Sequence, residues 1–210
     1  MTILKIQSCF LFLSLLILIS CTKESETPPR PIRQDGLWPL NFNNEWNYKR
    51  VFYKSDGSVE SFSEEQTKIT DTITVKGQLY FGNKTTGQFL TNSSPDAVRG
   101  IAMDSSLTDP FAIIFQRVFN NDTIIWRIDD PGCVNNQTFR GYTGVTVVNG
   151  FECIRNERLS ISCNGTIRHR EVFYLKPGLG LVKFEEYVLY PGFANAYLRV
   201  SVELLSSRLY

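Results

Sequence analysis

The sequence has very little of the chemistry that enzymes use. His169 is the only histidine among 210 residues, and Arg168 and Arg170 flank it. No Cys-x-x-Cys or Cys/His cluster with zinc spacing occurs, and no Gly-x-Ser-x-Gly segment is present. A general base needs a positioned partner and a nucleophile or water nearby. We therefore predict no catalytic residues, no metal and no cofactor, and we expect the protein not to be an enzyme.

An excess of charge of one sign is also missing. The chain has 22 basic and 21 acidic residues, and Lys5 is the only charged residue before position 21, so residues 21–210 hold 21 of each. Nucleic-acid-binding proteins carry a basic stretch or face. No such block occurs, and we predict no nucleic-acid partner.

The N-terminus has the pattern of an export signal. Lys5 precedes an apolar run from Cys9 to Ile19 that only Ser14 interrupts. This run is too short to cross a hydrocarbon core of about 30 Å, but it suits the h-region of a signal peptide. It ends in Leu18-Ile19-Ser20-Cys21, which resembles the lipobox of bacterial lipoproteins.

The lipobox resemblance implies cleavage before Cys21 and acyl chains, such as palmitate, on that cysteine. Two or more chains give stable membrane anchoring. We predict a signal peptide over residues 1–20, and the lipidated cysteine with a Pro-rich linker over residues 21–36, where TKESETPPRPIRQDG cannot pack a core. We expect the protein at the bacterial outer membrane, on its periplasmic or cell-surface side, with the membrane as partner through the anchor.

Residues 37–210 have the pattern of a single antiparallel β domain. Asn149-Gly150 separates the predicted strands Thr138–Val148 and Phe151–Ser162, and Asn164-Gly165 ends the second of them. Asn-Gly between such runs is the strongest short hairpin signal. A long alternating stretch over Val59–Val75 predicts one more strand. About ten strands without a sustained helical period predict an all-β fold, either a β-sandwich or a curved, partly closed β-barrel.

Three segments resemble motifs of a poorly characterised group of lipoproteins and secreted proteins from Bacteroidota. Residues 39–48, PLNFNNEWNY, are similar to PL-x-x-GN-x-W-x-Y, with Asn43 where glycine is usual. Residues 75–80, VKGQLY, are similar to V-x-GK-x-Y, and residues 177–185, PGLGLVKFE, match P-G-x-G-L-V-K-x-E. These motifs mark strand starts and turns, and the group has no agreed activity. The resemblance therefore implies fold and address only.

Three cysteines follow Cys21, and they allow at most one internal disulfide. The compartment outside the inner membrane permits such a bond. Cys153 and Cys163 lie on one predicted strand, where a rise of ~3.3 Å per residue keeps them too far apart to join. Cys133 can pair with either one. We favour Cys133 with Cys163, because Cys163 lies beside a predicted turn.

Two further kinds of site are candidates. Asp71-Thr72-Ile73 and Asp122-Thr123-Ile124 resemble the Asp-Ser/Thr-hydrophobic site of Bacteroidota O-glycosylation, which makes Thr72 and Thr123 candidate modification sites. Aromatic residues form 13% of the chain, and core packing accounts for most of them. Trp38 is the candidate ligand contact, because it lies at the edge of the linker.

These observations favour a non-enzymatic, envelope-anchored β domain that binds or scaffolds an envelope protein, a glycan or a lipid. The alternative is a carrier that holds a lipid or another apolar ligand in a β cavity, since aromatic and aliphatic residues that alternate along strands also suit a cavity wall. A hydrolase is the least favoured of the three.

Overall fold

The computed structural model describes residues 36–102, 112–116, 123–130, 133–141, 145–161, 165–189 and 195–210, without the side chains of residues 102–141. These residues belong to a compact unit that spans Arg33–Tyr210. They form fourteen strands and no helix, so no membrane-spanning helix occurs among them. The strands are β1 (Glu45–Tyr53), β2 (Val59–Lys68), β3 (Asp71–Val75), β4 (Gln78–Asn83), β5 (Gln88–Ser94), β6 (Ala97–Ala102), β7 (Ala112–Gln116), β8 (Thr123–Asp130), β9 (Cys133–Gly141), β10 (Thr146–Val148), β11 (Phe151–Ile161), β12 (Ile167–Lys176), β13 (Gly180–Val188) and β14 (Tyr197–Arg208).

The strands form two antiparallel sheets. The larger sheet has nine strands in the order β2-β1-β14-β13-β12-β11-β9-β8, with β10 beside β11, and the smaller one has the order β3-β4-β5-β6-β7. The larger sheet is curled as a half-barrel. The predicted all-β, antiparallel fold class is confirmed. The described residues contain more strands than the ten or so predicted, partly because β5 gave no clear signal in the sequence.

One predicted strand is wrong. The stretch Val59–Val75 is divided at Ile69 and Thr70, where the chain leaves the larger sheet and enters the smaller one. Ile69 is buried, its N–H donates to the Asn44 carbonyl at 3.0 Å, and the Thr70 N–H donates to the Gly82 carbonyl at 2.9 Å. The alternation of side chains continues across this crossing, so the sequence does not reveal it. The predicted strand Thr138–Val148 corresponds to the end of β9 and to β10, which both pair with β11; residues 142–144 between them lie outside the described residues.

One apolar core joins the two sheets. Large side chains of the larger sheet, such as Trp46 and Leu175, pack with Phe81 and Val98 of the smaller sheet. The other buried members are Leu37, Trp38, Leu40, Tyr48, Ile69, Ile154, Phe173, Val200 and Val202. Burying one large aliphatic or aromatic side chain is worth roughly 1.5–3 kcal/mol, so this cluster is a main source of stability.

Tight turns of the predicted kind connect the hairpins. Asn149 and Gly150 have φ values of 51° and 80°, and Lys76 and Gly77 have 49° and 78°. Positive φ at both central residues is the pattern of a type I′ turn, whose twist matches the flanking strands. The predicted hairpin at Asn149-Gly150 is confirmed, whereas Asn164 lies outside the described residues.

Two of the motif segments contact each other directly. Trp46 Nε1–H donates to the Leu179 carbonyl at 2.7 Å, and the Tyr48 hydroxyl donates to the Leu181 carbonyl at 3.3 Å. The β13–β14 ladder begins only at Lys183, so the two aromatic side chains supply hydrogen bonds to a part of the chain that does not pair with β14. The segments at 39–48 and 177–185 therefore have a structural role in this fold.

Trp38 lies in the core and not at the surface. Its side chain is 8% exposed, and its ring packs edge-on against Trp46 with the centroids 6.0 Å apart. The side-chain amide of Asn92 donates a hydrogen bond to the Trp38 carbonyl at 2.8 Å, and this bond helps to hold the Trp38 backbone in place. A Cβ added to Gly180 would stand 3.0 Å from the Trp38 ring. Contact with a ligand would require the ring to leave this packing.

The segment before β1 is tied to the C-terminus by a buried amide. Asn43 has a φ of 69°, a left-handed conformation that glycine adopts freely and asparagine tolerates. Asn44 is fully buried. Its Nδ2 donates to the Pro39 carbonyl at 2.6 Å, and its Oδ1 accepts a hydrogen bond from the Tyr210 N–H at 2.7 Å.

Candidate functional site

A row of charged and tyrosine side chains crosses one face of the larger sheet. The register places Arg155 opposite Tyr174, Tyr174 opposite Lys183, and Lys183 opposite Glu203. Directly opposed residues project to the same face of an antiparallel sheet. We call this surface the charged face; its members are Arg155, Glu157, Arg170, Tyr174, Lys183, Glu185, Tyr187 and Glu203, on β11–β14. The core residues occupy the opposite face of the same strands, for example Phe173 opposite Phe184.

Glu185 is the centre of the charged face. One carboxylate oxygen is 2.9 Å from Lys183 Nζ, and the other accepts hydrogen bonds from the Tyr187 and Tyr174 hydroxyls at 3.1 and 3.4 Å. The Glu185 side chain is only 14% exposed. Lys183 is also 3.5 Å from a Glu203 carboxylate oxygen. Charge-assisted hydrogen bonds of this kind are stronger than neutral ones, so the carboxylate is held in one position.

Two arginines extend the charged face on either side. The Arg170 guanidinium lies over the Tyr187 ring, 4.3 Å from its centroid, and Arg155 pairs with the buried carboxylate of Glu157. Val172 projects to this face, opposite Glu185, and is 1% exposed. The long polar side chains therefore stand over an apolar floor and are not freely solvated.

The environment of the charged face raises the pKa values of Tyr174, Tyr187 and Lys183. Burial raises the pKa of Tyr174 and of Tyr187, and the Glu185 charge raises both further. Burial alone would lower the pKa of Lys183, but hydrogen bonding to Glu185 and the charges of Glu185 and Glu203 outweigh it, so the pKa is raised. At neutral pH the hydroxyls keep their protons and Lys183 keeps its charge. The face is a fixed array of donors and acceptors.

His169 has a partner that the sequence did not indicate. It lies on the opposite face from Arg170, and its Nε2 is 3.0 Å from a Glu186 carboxylate oxygen. Arg199 approaches the same oxygen at 3.8 Å, and Arg158 pairs with Glu171 at 3.2 Å nearby. His169 therefore belongs to a polar network with Glu186 and Arg199. Among the side chains that the structure describes, no three His, Cys, Asp or Glu residues converge as a metal site.

The structure describes only some of the predicted modification sites. Thr72 is exposed on β3, an edge strand of the smaller sheet, and Asp71 beside it accepts hydrogen bonds from the Thr70 hydroxyl and the Lys84 N–H. Thr123 begins β8, and its side chain lies outside the described part. Cys21 also lies outside the described residues.

The described residues do not include both cysteines of the predicted disulfide. Cys133 is the first residue of β9, and Cys163 falls in a gap between described ranges. Cys153 is a buried free thiol on β11, and burial raises its pKa. The Cys133–Cys163 disulfide therefore stays a prediction.

A surface groove of about 370 Å³ lies where β13 and β14 diverge. Its walls come from the turn after β12 and from the last part of β14, and the Lys176 ammonium lies over the Phe151 ring, 4.7 Å from its centroid. The lining residues are Phe151, Lys176, Pro177, Gly178, Leu179, Leu204, Leu205, Ser206 and Ser207. The groove is apolar along Leu204 and Leu205 and polar at its rim.

Comparison with known proteins identifies no family. No protein-family model matches the chain, and no curated protein matches it. One similar solved structure is a protein of Parabacteroides distasonis ATCC 8503, provisionally described as a lipoprotein; it has 13% sequence identity and a TM-score of 0.41, and the match covers 83% of this chain and 99% of that one. Another is a provisionally described exported protein with a YmcC-like fold from Bacteroides fragilis NCTC 9343, with 10% identity, a TM-score of 0.41, and 81% and 98% coverage. At these TM-scores the likeness carries no conclusion about function.

Proposed function

We propose that this chain is an exported envelope lipoprotein whose β domain binds a polar partner, without catalysis, through the charged face. The observation that carries the proposal is the arrangement around Glu185, where one lysine and two tyrosine hydroxyls hold a mostly buried carboxylate. The partner is a glycan or a protein of the envelope, because both present hydroxyl, amide and charged groups that such an array can bond.

A prearranged array favours binding for an energetic reason. Ordering one flexible polar side chain at an interface costs about 0.5–1.5 kcal/mol. On the charged face, hydrogen bonds and ion pairs within the protein already order Lys183, Glu185 and Tyr187. The Tyr187 ring, with Arg170 over it, also offers an aromatic surface at low entropic cost.

The pKa values favour binding over proton transfer. An efficient general acid or base has a pKa near the operating pH. The pKa values of Tyr174, Tyr187 and Lys183 are all raised, which moves these groups away from neutrality. Groups that do not change their protonation near neutral pH suit a binding surface.

The test compares two neighbouring glutamates on opposite faces of β13. Purified protein is titrated with a panel of bacterial polysaccharides and with envelope protein extract on a biosensor. We expect at least one probe to bind, and Glu185→Gln to weaken binding about tenfold, equivalent to about 1.4 kcal/mol. Glu186→Gln, on the other face, should leave affinity unchanged. Binding by no probe, equal losses in both variants, or hydrolysis of a probe would overturn the proposal.

The lipid anchor is tested separately. Intact mass of the protein from the membrane fraction should equal residues 21–210 plus a diacylglycerol and an acyl chain on Cys21. Cys21→Ser should leave an uncleaved precursor without lipid. A soluble product with an unmodified mass would contradict the anchor and would leave the binding proposal standing.

Because of the groove, we retain the transport of a lipid or another apolar ligand as a second candidate function. Its volume of about 370 Å³ falls in the range of small-molecule sites. It lies at the surface, however, while side chains fill the described interface between the sheets. Native mass spectrometry of the protein from its host should show no bound lipid if binding at the charged face is the main function; a retained lipid of fixed mass would favour the carrier.

A further inference from the structure

Both ends of the β domain lie at one end of the larger sheet, which we call the Gly36 end. The Gly36 carbonyl accepts a hydrogen bond from the Gly178 N–H at 3.3 Å, in the turn after β12. Tyr210, the last residue, donates to Asn44 at the beginning of the domain. The linker therefore joins the domain beside the groove, since Gly178 is one of the residues that line it.

Exposed large apolar side chains are concentrated at the Gly36 end. Of the nine among the described side chains, six lie on or next to the strand ends near Gly178, and three lie at the far end of the sheet. The six are Phe42, Val145, Val147, Leu205, Leu209 and Tyr210, and the three are Val59, Phe62 and Ile167. Scattered exposed apolar residues need no explanation, but such a bias toward one end does.

The groove belongs to the same end of the molecule. Leu205 is 51% exposed and forms part of its wall. Leu209 follows four residues later along the chain and is 40% exposed. Lys176 at the rim adds a cation, which suits a surface that carries lipid phosphates.

We propose that the Gly36 end lies on the lipid bilayer, with Leu205, Leu209 and the groove in contact with the interfacial region. This inference rests on the lipid anchor of the proposed function. Residues 22–35 separate Cys21 from Gly36, and fourteen residues span at most about 50 Å. The anchor thus holds this end at high local concentration near the membrane, where apolar side chains gain by leaving water. The opposite end, with the β1–β2 turn, then faces away from the membrane.

The experiment uses the mature chain from residue 21 with Cys21→Ser, which carries no lipid, and vesicles of phosphatidylethanolamine and phosphatidylglycerol at a ratio of about 3:1. We expect the chain to sediment with the vesicles. Leu205→Ser with Leu209→Ser should lower the partition coefficient about tenfold, because two partly exposed leucines lose their apolar contact. The matched control is Val59→Ser with Phe62→Ser, which should leave it unchanged.

A second measurement needs no variant. Hydrogen exchange of the wild-type chain should slow around residues 177–179 and 204–209 when vesicles are added, and not around residues 59–62. Absence of vesicle binding, equal loss in both double variants, or protection that follows self-association and not vesicles would overturn the proposal. Because this chain lacks the lipid, a failure here is distinct from a failure of the anchor, which intact mass reports.

Discussion

Replacing Asn44 by alanine should destabilise the domain strongly, although Asn44 lies outside every strand. Its amide is fully buried and joins the Pro39 carbonyl to the Tyr210 N–H, at 2.6 and 2.7 Å. The substitution leaves one acceptor and one donor without these partners. Each unsatisfied buried polar group costs about 1–3 kcal/mol.

The expected magnitude follows from the exposure of the two partners. The Tyr210 side chain is exposed, so water can reach its N–H in part and that cost lies near the lower bound. Pro39 is half-buried, and its carbonyl is less accessible. We expect a loss of about 2–4 kcal/mol from a total stability of about 5–15 kcal/mol.

Urea denaturation followed by circular dichroism measures this loss. With a slope of about 2 kcal/mol/M, the midpoint should fall by about 1–2 M at an unchanged slope. The matched control is Asn41→Ala, which removes a solvent-exposed hydrogen bond from Asn41 Nδ2 to the Tyr210 carbonyl and should cost under about 1 kcal/mol. A loss below about 1 kcal/mol for Asn44→Ala, or equal losses for both variants, would refute the reasoning.

Three further predictions concern the pH dependence of stability, the cysteines and Thr72. Stability should fall as the pH rises above about 10, because raised folded-state pKa values at Tyr48, Tyr174, Tyr187 and Lys183 mean that the native state binds these protons more tightly than the unfolded chain does; urea midpoints from pH 8 to 11 should show this decline, and Glu185→Gln should make it less steep without abolishing it. Non-reducing peptide mapping should find Cys133 joined to Cys163, a reading supported by the pairing of the end of β11 with the first part of β9; two free thiols would refute it. Intact mass from the native host should show a glycan at Thr72 that Thr72→Ala removes, and an unmodified mass would contradict this prediction.

Local chemistry explains what the sequence revealed about the fold. Asn149-Gly150 predicts its hairpin because few residue pairs adopt positive φ twice in succession. Alternation predicts strands because successive side chains point to opposite faces. It fails at Ile69 and Thr70, since a strand that changes sheets keeps the same alternation.

Trp38 shows the limit of arguments from sequence position. It stands next to a Pro-rich linker, which suggested an accessible ring. The structure buries it against Trp46 and over Gly180, a residue 142 positions away. Contacts over such distances along the chain depend on how the two segments pack, and no local pattern records them.

For the charged face too, the sequence determined one part and the tertiary structure decided the other. Lys183, Glu185 and Tyr187 are spaced two residues apart, so the sequence alone determined that they share one face of a strand. Tertiary structure decided that Tyr174 on the neighbouring strand completes the array around Glu185, and that this face is opposite the core. The reason is that pairing is fixed by turns, by register shifts such as the one between Tyr174 and Leu175, and by which face the second sheet covers. These are properties of paired strands, which a single stretch of sequence does not specify.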